Sequence, residues 1–150
     1  MTILNKDVLL KEGPYLQLVY RKTPLIVDEG EWPSEDVYRK DTFFDLADDL
    51  LGCLCSISKH YCPFDPYDLT NLSDVTAVQV VKDTFVFWAT IIANATDEEI
   101  RREFSGLYKE SDTKISPTTI KQDVLETLEF IINKMAMAEK NGDTITIVGI

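Results

Sequence analysis

Two groups of side chains in this chain have the types and spacing that chemistry needs. Asp41, Asp45 and Asp48 stand at i, i+4 and i+7, with Asp49 beside them, so a helix through this segment stacks carboxylates on one face. Like charges at that spacing destabilise a helix by about a few tenths of a kcal/mol per pair. The helix dipole excuses acids in a first turn, which covers Asp41 and Asp45 better than Asp48 and Asp49. Stability alone therefore does not favour the arrangement, and a basic partner that neutralises it gives one reason for it. The competing reading is a solvated acidic face that aids solubility. The same oxygens suit a hard cation, but no Asp-rich loop with its glycine and closing Glu accompanies them, and no metal is expected there.

The second group is Cys53, Cys55, His60 and Cys62, four potential zinc ligands within ten residues. On a helix, side chains two apart point about 200° apart, so Cys53 and Cys55 cannot share an ion unless the helix ends early. Packed thiols are the simpler reading. His60 and Cys62 have no third group to orient them as base and nucleophile. His60 is the only histidine, and no nucleophile elbow, phosphate-cradling loop or dinucleotide fingerprint is present. The expectation is a protein without cofactor that is not an enzyme, with a small carboxylate or Cys/His-metal enzyme as an alternative.

Charge distribution points the same way as the aspartates. The 150 residues hold 26 acids against 15 Lys and Arg, a net charge of −11. Residues 28–74 alone hold twelve acids against three bases, a net of −9, while the rest of the chain is nearly balanced at −2. Such a chain lacks the cations that contact phosphate, so neither nucleic acid nor an anionic membrane is an expected partner. A basic protein is. The residues expected to meet it are Asp41, Asp45, Asp48 and Asp49, supported by Glu35, Asp36 and Trp32. Trp32, Tyr38, Tyr61, Phe64 and Tyr67 lie in or beside the acidic third, where aromatics add cation–π contact to ion pairs, unless they fold onto the core. The most concrete version is an immunity or inhibitor protein for a toxin such as a nuclease, whose active site is basic because it binds phosphate. An oligomeric adaptor, pairing through the terminal TITIV segment on a sheet edge, is the other alternative.

The elements that must position these residues read as follows. Apolar residues make up 45% of the chain, enough for a core, and the length suits one domain over 1–150. YLQLVY at Tyr15–Tyr20 and LIV at Leu25–Val27 read as strands, and 28–40 as an acidic loop. Phe43, Leu46, Ala47, Leu50, Leu54 and Ile57 predict a helix from Asp41, which can cap it, to about His60, broken by the prolines of Cys62–Tyr67. A second helix spans Asp74 to Asn94, apolar nearly all round and so expected in the middle of the fold. Thr96 and Glu99 form a capping box for a short helix that ends at Gly106. Ser116 followed by Pro117 opens a last helix striped by Ile120, Val124, Leu128, Ile131, Met135 and Ala138, and Asn141-Gly142 stops it. TITIV at Thr144–Val148 is a terminal strand pairing with the N-terminal ones. The fold class is α+β, predominantly helical, about four helices beside a small sheet. The longest strongly apolar run, Phe85–Ala95, is about half a bilayer span, and MTILNKDVLL lacks the pattern of a secretory signal, so a soluble cytoplasmic protein is expected.

Overall fold

A computed structural model of the chain describes residues 15–25, 33–59, 69–72, 74–104, 107 and 115–149. It is an α+β fold, predominantly helical, with helices packed against a four-stranded antiparallel sheet. The elements are β1 (Tyr15–Arg21), α1 (Glu35–Tyr38), a 3-10 turn (Arg39–Asp41), β2 (Thr42–Ala47), α2 (Asp48–Ser58), β3 (Leu69–Leu72), α3 (Val75–Asn94), α4 (Asp97–Phe104), α5 (Pro117–Asn141) and β4 (Thr144–Gly149). The strand order is β2-β1-β4-β3. TITIV therefore lies inside the sheet, hydrogen-bonded to β1 on one side and β3 on the other. The expected pairing with the N-terminal strand is present, and the free edge that the adaptor alternative needs is not: all six residues of β4 are buried, and a strand buried on both faces reads as the run of β-branched residues found here.

The two long helices form as their spacing dictates. Asp74 caps α3 by accepting from the Ala77 N–H at 2.8 Å. Ser116 caps α5 by accepting from the Thr119 N–H at 3.2 Å, with Pro117 at its first position. Gly142 stops α5 in the left-handed region, at φ 69°, where a Cβ is penalised. The predicted stripe of α5 is buried throughout. Helices α3 and α5 run antiparallel: Lys82 pairs with Glu139 at 2.6 Å near one end, and Lys121 Nζ donates to the Ala95 carbonyl at 3.0 Å near the other. That second contact places a cation where the α3 dipole is negative. The Thr96 and Glu99 capping box opens α4, each backbone N–H donating to the other's side chain.

Alternation then divides the sheet. Leu16, Leu18, Phe44, Leu46, Ile145 and Ile147 face the helices and join the main core with Phe85, Trp88 and Leu128. Phe130 of α5 packs tilted on Phe43 and Phe44, with centroids 6.3 and 6.1 Å away. Trp88 meets Phe85 edge-on at 5.1 Å, and its Nε1 has no hydrogen-bond partner among the described residues.

Four expectations are corrected. The helix predicted from Asp41 is a strand up to Ala47, because Phe44, Asp45 and Leu46 alternate in, out and in, and pair with β1. Over so short an apolar run, periodicity alone does not separate a strand from a helix. The remainder, Leu50 and Leu54, does form the helical stripe of α2. The expected loop at 28–40 contains α1 and part of the 3-10 turn, which raises the count of α-helices among the described residues to five. Leu25 is not in a strand, and β3 was not anticipated. Finally, α3 is not enclosed: Val78, Val81, Phe85, Trp88 and Ile92 are buried, but Val75, Val80, Val86 and Phe87 are exposed. Its twenty residues are long and apolar enough to cross a membrane by length and composition, which the run Phe85–Ala95 alone did not suggest. The strand expected at Ile26 and Val27, the break at Cys62–Tyr67 and the stop at Gly106 lie outside the described residues.

Candidate functional site

The predicted stack of aspartates does not form. Asp41 ends the 3-10 turn, Asp45 lies in mid-β2, and Asp48 and Asp49 occupy the first turn of α2. In a first turn, acids complement the helix dipole, so Asp48 and Asp49 favour the helix rather than burden it. The like-charge penalty that pointed to a partner is therefore absent. Asp49 is half-buried, and its charge and that of Glu103 reinforce the effect of burial on Cys53.

What the fold does bring together lies on the sheet face away from α3 and α5. Asp45 is exposed there, and its cross-strand neighbour is Gln17. Gln17 is buried although it sits between Leu16 and Leu18, and both ends of its amide are used. Its Oε1 accepts from the Tyr38 hydroxyl at 2.7 Å, and its Nε2 donates to Glu35 Oε1 at 3.2 Å. Glu35 also takes Arg39 at 2.6 Å, an exposed i,i+4 pair. Burial holds the Tyr38 hydroxyl above its ordinary pKa, and the nearby carboxylates of Glu35 and Asp45 add to this while Arg39 opposes it. Tyr38 is thus a core aromatic of this face, not an exposed recognition residue. Asp41 lies 3.9 Å from Arg21, a distance at which the pair adds little. Asp36, Asp45 and Asp48 have no ion-pair partner among the described residues.

Glu35, Asp36 and Asp45 are therefore exposed carboxylates on one side of the molecule, with Asp41 half-exposed nearby on the same connection. Exposed carboxylates of this kind accept hydrogen bonds from, and attract, Lys and Arg side chains. Trp32, Tyr61, Phe64 and Tyr67 lie outside the described residues.

The cysteines do not assemble a ligand set here. Burial, with Asp49 and Glu103, pushes the Cys53 thiol up to about 12, so it stays protonated and is a poor ligand or nucleophile. No group of three metal-binding side chains occurs among the described residues, and His60 and Cys62 lie outside them. Sequence reasoning missed Gln17 and Tyr38 as the residues that place the acids. The signal was present in YLQLVY, where one polar residue interrupts an apolar strand. No protein-family model matches the chain, and no match to it was found among curated proteins or solved structures.

Proposed function

We propose that this chain is an acidic protein-binding module that docks on a basic partner protein through the 28–74 region. In its most concrete form it is a cytoplasmic immunity or inhibitor protein that neutralises a toxin such as a nuclease. The observation that carries the reading is the segregation of charge, with twelve acids against three bases in that region. Glu35, Asp36 and Asp45 support it, because they are exposed and Asp36 and Asp45 have no ion pair among the described residues to give up on binding. Asp48 and Asp49 are half-buried at a helix start and take the lesser part. Carboxylates aimed at a phosphate-binding site compete with nucleic acid for the same cations. Electrostatic steering brings capture toward about 10⁸–10⁹ M⁻¹s⁻¹ at low salt.

The test is affinity capture from the native host at low and high salt, with an Asp36→Lys/Asp45→Lys chain as control. A basic protein retained at low salt, and lost both at high salt and by the control, is the expected result. Equal retention by both chains would reduce the acids to a solvated surface. One observation favours a second reading, an oligomeric adaptor: Val80 and Phe87 expose apolar surface on α3, which light scattering across concentrations would register as self-association.

A further inference from the structure

The buried apolar residues fall into two clusters of very different size. The main one fills the space between the sheet and the helices. The other, among the described residues, holds Val19, Leu25, Tyr38 and Val148, with Leu69 packed beside it, on the opposite face of the sheet. The connection between β1 and β2 is attached to the sheet through this small cluster. Within residues 33–41, Tyr38 is the single buried residue, and even Val37 is half exposed. The segment's own structure is slight: α1 is four residues with no side-chain cap, followed by a three-residue turn. Among the described residues its remaining ties are the exposed Glu35–Arg39 pair, the distant Arg21–Asp41 pair, a 3.4 Å hydrogen bond from Arg21 Nη1 to the Val37 carbonyl and a 3.3 Å hydrogen bond from the Thr42 hydroxyl to the Tyr38 carbonyl.

Few buried apolar contacts and solvent-accessible hydrogen bonds are the features of a unit that opens below the free energy of global unfolding. The specific tie is polar. Tyr38 donates to Gln17 and Gln17 donates to Glu35, so the buried ring, the strand and the surface carboxylate are linked in one chain. We propose that residues 33–41 form a latched strap that swings off the sheet as a unit while the main core stays folded, and that the Tyr38–Gln17–Glu35 chain is its latch. Opening carries Glu35, Asp36 and Asp41 away from Asp45 and so dismantles the acidic surface. A basic partner that engages Glu35 together with Asp45 favours the closed strap by binding only that form. This last step rests on the binding reading, whereas the strap's opening does not.

The experiment is native-state hydrogen exchange on the full chain, followed residue by residue through sub-denaturing guanidinium and without any partner. The amides of Val37 and Arg39, which donate to Ser34 and Glu35 carbonyls, report the strap. Those of Phe85 and Leu128 report the core. The strap amides are expected to exchange through an opening nearly independent of denaturant, while the core amides follow the steep dependence of global unfolding. Tyr38→Phe is expected to speed Val37 and Arg39 by about five- to tenfold, the loss of one hydrogen bond, with the core amides unchanged. Strap amides that follow the core's denaturant dependence in the wild-type chain would overturn the strap, and that measurement stands even if the variant fails to fold. No change at Val37 and Arg39 in Tyr38→Phe, or an equal change at all four positions, would overturn the latch.

Discussion

The two faces of the sheet are built on different principles. The face toward α3 and α5 carries Leu16, Leu18, Phe44, Leu46, Ile145 and Ile147, and is sealed by helices with continuous apolar stripes. The opposite face carries Gln17, Thr144 and Thr146, buried polar side chains, beside the small apolar cluster of Val19, Leu25, Tyr38 and Val148. There Thr146 donates to Asn71, and Asn71 in turn donates to the Leu25 carbonyl at 3.0 Å. Burial of apolar area stabilises without direction, whereas hydrogen bonds add little net stability but specify position. One face therefore supplies the stability of the fold. The other places the carboxylates of Glu35 and Asp45.

That contrast can be broken by mutation, and the core side is where the loss should be greatest. Phe85→Ala is expected to cost about 3–5 kcal/mol, from lost burial and the cavity beside Trp88, read as a fall in the guanidinium midpoint. Tyr38→Ala is expected to cost only about 1–2 kcal/mol by the same titration, because a strap that opens on its own limits what a change within it can remove. Equal costs at the two positions would erase the distinction between the faces. Gly142→Ala, on the core side, should cost about 1 kcal/mol, since the left-handed φ of 69° is the penalty and no atom crowds the added Cβ. Thermal melts would measure it.

Alkaline pH acts on both faces in the same direction. Burial raises the Tyr38 hydroxyl, and burial together with donation to Asp143 at 2.6 Å raises Tyr20. A raised folded pKa means that the native state holds its proton more tightly than the unfolded chain does. The stability this contributes is complete below about pH 10, the ordinary tyrosine value, and is lost as pH rises through the higher folded values. Melting temperature should thus fall above about pH 10, with Tyr38→Phe and Tyr20→Phe each flattening part of the fall. The smallest effect is expected at Arg39→Ala, which removes an exposed i,i+4 pair and should change stability by less than about 0.5 kcal/mol in the same melts.

Much of the fold was legible in the residues. The caps Ser116 and Thr96, the stop at Gly142 and the stripe from Ile120 to Ala138 are local signals, and each appears where its chemistry places it. Residues 41–47 were illegible for a physical reason. Phe43, Phe44 and Leu46 suit either a helix or a strand, and only pairing with β1, a non-local contact, selects the strand. The centrality of β4 was hidden in the same way, because it depends on β3, four residues without a strong pattern of their own. As for the site, the acids could be named from the sequence but not arranged. Their arrangement depends on Gln17 and Tyr38, which meet across 21 positions of sequence.

In the proposed function the strap side of the acidic region is what meets a basic partner. The most direct measurement compares, against the captured partner, the affinities of Asp36→Lys/Asp45→Lys and Asp48→Lys/Asp49→Lys over a salt series. The account predicts that the first pair loses at least about tenfold in affinity and much of its salt dependence, while the second loses far less. An unchanged affinity in the first pair, or a greater loss in the second, would contradict it.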